Sequence, residues 1–353
     1  MTPFSADAAG SPGGLVAVHA HPDDETLATG ALLANWAAAG RPVTVVTCTR
    51  GELGEVIGPT LAHLEGDGPA LAAHRELELA GALRALGVRD HVFLDQLDPA
   101  LADGGPAGPR RFSDSGMAWA GAGHAGRLDE LPDGAFVAVP LDGPALALAR
   151  LLRARRPEVV VTYEPGGGYG HPDHVRAHDV TMLALALAAD GGLVLGGAPA
   201  YAPAAVLWCA VAAGALRAAY QELRARELTA PIAGAEPPVG SLALPDPVGP
   251  LPSVAVADAA IDVEVDVTSV LDAVAAALAA HATQVHAIAI DPDPDPDPDR
   301  AAAGAGVAGA GVVGCYALSN DVLAPLLSRE SYRFAPGQRR SPVRWPAGVR
   351  PVA

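Results

Sequence analysis

The chain has 353 residues, half of them hydrophobic but only 4% aromatic, and a formal net charge of −17. That length suits one large α/β domain or two modest ones, with a core built from small side chains. The acidity argues against a nucleic-acid binder, which needs a positive face, and against docking on an anionic membrane; it fits a neutral or cationic small molecule.

Residues 1–13 read as a flexible leader, without the basic and apolar regions of a signal peptide. Leu15–Ala20 (LVAVHA) is a short apolar run, the pattern of a buried strand. Thr26–Ala39 has helical spacing, and Val43–Cys48 (VTVVTC) is a second buried strand. Ala70–Leu86 reads as a helix stopped by Gly87, and His91–Leu94 as a third strand. Ala145–Arg155 is helical, Val159–Thr162 a strand and Val175–Ala189 a helix. Strands alternating with helices predict an α/β fold, Rossmann-like, with a mostly parallel sheet covered by helices on both faces. Residues 14–195 read as its catalytic part.

Residues 196–335 read as a smaller C-terminal α/β portion of the same domain. Val206–Val211 is a candidate strand and Gly214–Leu228 a candidate helix, while Pro231–Ser253 is loop-like. Ile261–Val267 (IDVEVDV) alternates strictly, as a half-exposed strand does, and Thr268–Gln284 is an Ala-rich helix. Asp291–Asp299 alternates Asp and Pro, which forbids helix and sheet; with the Gly/Ala tract after it, the stretch near 291–310 reads as a disordered insert. Residues 336–353 read as a tail. Cys48, Cys209 and Cys315 lie far apart, so neither a disulfide framework nor a thiolate zinc site is expected. The chain reads as soluble and cytoplasmic, and no pattern in it sets an oligomeric state.

Ligand sites of such sheets lie beyond the carboxyl ends of the strands, and two polar clusters fall there. HAHPDDET, His19 to Thr26, follows the first strand. His21 and Asp24 are close enough in a strand-to-helix turn to share a metal, leaving Asp23 free. The competing reading is that Asp23, Asp24 and Glu25 cap the next helix. YEPGGGYGHPDHVRAHD, Tyr163 to Asp179, follows the Val159–Thr162 strand and offers His174 as a third ligand. His178, one turn later, reads as a surface histidine. The glycines at 166, 167, 168 and 170 let the backbone turn tightly, but no GKS/T or GxGxxG supports a phosphate cradle.

Two His-Pro-Asp clusters at strand ends resemble the LmbE-like, or PIG-L, de-N-acetylases. Further stretches resemble the branch of that family acting on N-acetylglucosaminyl-inositol in mycothiol biosynthesis: VTCTRGELGEVIG, ELAGALRALGV, DSGMA, AALAAHATQV and YALSNDVLAPLL. The resemblance runs from about Leu15 to Phe334. It implies a zinc-dependent amidohydrolase that releases acetate from this amino-sugar inositol. One Zn2+ would be held by His21, Asp24 and His174, a two-His, one-carboxylate set that suits Fe2+ as well. The resemblance implies Asp23 as general base, His171 as oxyanion stabiliser and Asp173 as the carboxylate orienting it. Tyr169 would polarise the substrate carbonyl, and Arg75 and Asp114 would grip the sugar and inositol hydroxyls. For Arg75 the alternative is an ion pair with Glu78 on the same helix.

Three rival readings each meet a contrary residue pattern. The sister amidase that cleaves mycothiol S-conjugates carries a lysine shortly after HPDDE, where this chain has Leu27, Ala28, Thr29 and Gly30. A non-catalytic sugar-binding protein would need no free Asp23. A dinucleotide-binding oxidoreductase would need GxGxxG in its first loop.

Overall fold

The computed structural model describes residues 14–97, 111–119, 125–128, 130–226, 242–291, 311–338 and 341–352. The expected leader at 1–13 and, apart from Asp291, the insert expected near 291–310 lie outside these residues.

The first strand, β1 (Leu15–His19), leads into α1 (Asp24–Ala38), followed by β2 (Val43–Thr47), α2 (Gly68–Ala85) and β3 (Asp90–Phe93). Then come α3 (Asp142–Arg155), β4 (Val159–Thr162), α4 (Pro172–Ala189), β5 (Ala205–Ala212) and α5 (Ala213–Ala225). β1 pairs in parallel with β2 on one side and β4 on the other, with Leu15 opposite both Val43 and Val159. β3 and β5 extend the parallel set outward. Its order is therefore β3-β2-β1-β4-β5, and the direction of winding reverses between β1 and β4. That switch opens a crevice at the carboxyl ends of these two strands.

The apolar runs of β1, β2 and β4 are buried throughout, as strands covered on both faces must be. Leu15 and Ala17 face one core with Leu32, Trp36, Leu79 and Leu278, while Val16 and Val18 face the other with Leu148, Leu152, Val180 and Ala184. This alternation is the two-residue period of a strand read between two helical layers.

The C-terminal portion is built differently. β6 (Val263–Asp266) is followed by α6 (Leu271–Ala280), then by β7 (His286–Ile290), β8 (Val312–Ala317), β9 (Leu323–Leu327), β10 (Arg329–Phe334) and β11 (Val349–Pro351). β10, β6 and β11 add antiparallel strands beyond β5, which with the short strand Ala255–Val256 makes a nine-stranded mixed sheet. β7, β8 and β9 form a separate antiparallel sheet. Three readings are corrected. α6 is shorter than Thr268–Gln284, since it stops at His281, whose ring turns away to a buried partner. The end of the Gly/Ala tract, Val312–Gly314, is paired strand, not loop. The segment read as a tail carries β11, whose Val349 is buried against β6. No helix among the described residues is long and apolar enough to cross a membrane.

Candidate active site

The crevice is lined by the turn after β1 and the loop after β4. In the first, Asp23 adopts φ 105°, a conformation rare for a residue with a side chain and usual only where the surroundings enforce it. Its C=O accepts the N–H groups of Thr26 and Leu27 at 2.9 Å, and its own N–H donates to Glu25 Oε2 at 3.0 Å. Its side chain makes no capping bond to α1. Asp24 Oδ2 accepts the backbone N–H of His21 at 2.9 Å. The acids are thus turned to the crevice and to the turn itself, and the capping reading accounts for little of them.

In the second loop the His-Pro-Asp sequence starts a helix. His171 Nδ1 accepts the N–H of Asp173 at 3.1 Å, and Pro172 sits in the first turn of α4, where a missing N–H costs nothing. Gly167 has φ +66°, and a Cβ there would approach His174 Cβ to 2.9 Å. Its carbonyl accepts from His174 Nδ1 at 3.0 Å. That bond fixes the tautomer: the proton sits on Nδ1 and the lone pair on Nε2.

His174 Nε2 is buried and makes no hydrogen bond, although Asp24 Oδ1 lies 3.2 Å away. The other Asp24 oxygen is 3.3 Å from His21 Nδ1. Nitrogens of His21, His171 and His174 lie within 4.8 Å of one another. A buried imidazole nitrogen facing a carboxylate oxygen, without a hydrogen bond of its own, is the kind of donor pair a divalent-cation site offers. The three expected ligands are brought together and fit such an ion.

The remaining expected residues gather here too, with changes of partner. Asp173 does not place its carboxylate on the His171 ring. It accepts from Ser115 N–H at 2.9 Å and Ser115 Oγ at 2.5 Å, and lies 3.2 Å from His21 Nε2, so the imidazole it orients is that of His21. Asp114 accepts from Gly116 N–H at 2.8 Å and lies 3.7 Å from His21 Nε2. Tyr169 is half-buried, its ring centroid 5.2 Å from that of His174 and 6.0 Å from that of His171. Arg75 is 2% exposed; its guanidinium donates to the carbonyls of Gly51 and Pro22 and lies 3.3 Å from Asp23 Oδ2. The alternative reading, an Arg75–Glu78 pair, is not what forms, for Glu78 accepts from Thr283 N–H and Oγ1. His178 is buried rather than superficial, with Nδ1 bonded to the Tyr163 carbonyl at 2.9 Å.

Burial raises the Asp23 carboxyl to about 6, against the pull of Arg75 and with the help of Asp24. Burial also pushes Asp24 up, but the His174 and His21 rings outweigh it and hold this carboxyl well below its usual range. Burial, then His21 and His174, drive His171 well below the ordinary imidazole value, so its ring is neutral. With Nδ1 accepting, the His171 proton is on Nε2. Burial and then Asp24 raise the Tyr169 phenol well above its usual value, which keeps it a hydrogen-bond donor.

Sequence reasoning missed three supports. Ser115 holds Asp173. Tyr163 stacks on His174 with centroids 4.3 Å apart, and its hydroxyl accepts the Ala20 N–H at 2.9 Å. His281 bonds Glu25. All three lie within stretches that carry the family resemblance: Ser115 in DSGMA, Tyr163 at the start of the Tyr163–Asp179 cluster and His281 in AALAAHATQV.

Residues 16–185 match the family PIG-L, GlcNAc-PI de-N-acetylase. A curated protein of Nocardioides sp., 1D-myo-inositol 2-acetamido-2-deoxy-alpha-D-glucopyranoside deacetylase, is 41% identical over 245 residues, 69% of this chain and 74% of that one. The chain belongs to the PIG-L family of de-N-acetylases. A protein of the same name from Kineococcus radiotolerans is 46% identical over 245 residues, 69% of this chain, but the match spans only 61% of that relative's length. Among solved structures, a conserved protein from Thermus thermophilus is 22% identical, over 75% of this chain and 77% of that one, with a TM-score of 0.41.

Proposed function

We propose that this chain hydrolyses the N-acetyl group of N-acetylglucosaminyl-inositol, giving glucosaminyl-inositol and acetate, as a cytoplasmic step of mycothiol biosynthesis. One Zn2+ would be held by His21, Asp24 and His174. The observation that carries the reading is Asp23: a second carboxylate, paired with Arg75 rather than with His21 or His174, beside a cluster of metal-type donors. The named activity of the 41% and 46% identical relatives supplies the substrate.

A bound divalent ion lowers the pKa of a water and polarises a carbonyl. Asp23 takes the proton as the water oxygen bonds to the acetyl carbon. The carbonyl oxygen becomes an oxyanion, toward which His171 Nε2–H and the Tyr169 hydroxyl are donors. The C–N bond then breaks, the proton held by Asp23 passes to the leaving nitrogen, and acetate departs. Asp114 and Asp173 restrain His21, and Arg75 restrains the Pro22–Asp23 turn. The Asp114 oxygens also accept from the Gly116 and Leu53 N–H groups, and their remaining lone pairs would accept from a sugar hydroxyl.

The test is to incubate the zinc-loaded protein with N-acetylglucosaminyl-inositol and, separately, with a mycothiol S-conjugate, and to measure free amine. Faster release from the first is expected. Release from the S-conjugate alone would assign the chain to amidase chemistry.

A further inference from the structure

Asp23 holds an unfavourable backbone conformation, and one bond that holds it comes from outside the turn's own backbone. Glu25 is fully buried, and each of its oxygens is committed. Oε2 accepts the Asp23 N–H at 3.0 Å. Oε1 accepts from Thr26 Oγ1 at 2.5 Å and lies 2.8 Å from His281 Nε2. His281 is fully buried as well and reaches Glu25 from just beyond the end of α6, 256 positions along the chain. None of the hydrogen bonds of these atoms goes to a side chain of His21, Asp24 or His174.

A carboxylate and an imidazole buried without water are costly to keep unless each satisfies the other. This pair's one bond toward the crevice is the bond to the Asp23 backbone. We propose that Glu25 and His281 are positioning residues: His281 fixes the Glu25 carboxylate, and Glu25 fixes the Asp23 backbone at the φ that aims the base. The C-terminal portion thereby sets the geometry of a carboxylate carried by the first loop. This inference rests on Asp23 acting as the base in the proposed reaction.

The experiment is a double-mutant cycle on zinc-loaded full-length protein, with metal content, circular dichroism and KM recorded for every variant. Misplacing a reacting group by ~1 Å costs about 100-fold in rate. Glu25→Ala is therefore expected to lower kcat about 10- to 100-fold, with zinc content and KM unchanged. Glu25→Gln, whose amide oxygen can still accept from Asp23, is expected to recover most of that loss. In an Asp23→Asn background, Glu25→Ala is expected to cost almost nothing more, because residues acting through one group are not additive. If Glu25→Ala does not fold, His281→Gln takes its place in the same cycle. Equal losses in both backgrounds, or a loss that follows zinc content, would overturn the inference. A wild-type protein without deacetylase activity would instead remove the functional reading on which it rests.

Discussion

The loops after β1 and β4 and the C-terminal portion make unlike contributions to the same crevice. The segments that follow β1 and β4 carry every expected metal ligand and the expected base: His21 and Asp23 lie in the turn after β1, and Asp24 and His174 in the first turns of α1 and α4. The C-terminal portion carries none of these groups and instead grips the elements that present them. His281 holds Glu25; Glu330 on β10 accepts the N–H groups of Ala31 and Leu32 within α1, at 2.6 and 2.9 Å; Tyr332 donates to the Ala28 carbonyl at 3.2 Å. Reactive groups can sit on short loops when a second body of structure restrains the helix that follows.

If that division holds, perturbing the first loops should destroy chemistry and perturbing the periphery of the C-terminal portion should not. The largest effect is expected from metal removal. Dialysis against a chelator should abolish acetate release, and stoichiometric zinc should restore it; full activity in metal-free protein, checked by elemental analysis, would break the comparison at its root. Next, Asp24→Ala should lower zinc content well below that of wild type, because one carboxylate faces both His21 and His174. Arg75→Ala should follow. Its guanidinium serves the Pro22 and Gly51 carbonyls and Asp23, so kcat/KM should fall about 10- to 150-fold, as for a lost charged hydrogen bond. The loss should be similar for N-acetylglucosaminyl-inositol and for free N-acetylglucosamine. A loss confined to the inositol-bearing substrate would mean that Arg75 touches inositol hydroxyls.

The smallest effect is expected from removing residues 292–310. Ile290 and Gly314 are cross-strand partners on β7 and β8, and Asp291 N–H donates to the Val313 carbonyl at 2.9 Å. The two ends are already adjacent, and a short turn can join antiparallel neighbours. Steady-state kinetics should give kcat/KM within about twofold of wild type; a large rise in KM would place the segment against the substrate.

The two regions also differ in how much of them the sequence reveals. LVAVH, VTVVT and VVVT are continuous apolar runs because both faces of each strand are buried, and such runs stand out from their surroundings. RESYRF and VRP do not, since their pairing depends on β6, a partner far along the chain, and one carries a proline at an edge. The same holds within the site. His21, Asp24 and His174 belong to compact motifs whose spacing follows from local turns. Ser115, Tyr163 and His281 are ordinary residue types whose roles arise only where distant segments meet, as across the 152 positions between His21 and Asp173. The Asp173 carboxylate illustrates the limit: its neighbour in sequence, His171, is not the ring it orients.

The central claim is that a metal-bearing cluster and a separate base share the crevice between β1 and β4, and Asp23→Asn tests it most directly. The amide is nearly isosteric but cannot take a proton. Zinc content and acetate release from N-acetylglucosaminyl-inositol should be measured on the same preparation. The account predicts wild-type zinc content with turnover reduced about 10²- to 10⁴-fold, the usual contribution of a general base. Near wild-type turnover, or a loss of turnover that only mirrors a loss of zinc, would contradict it.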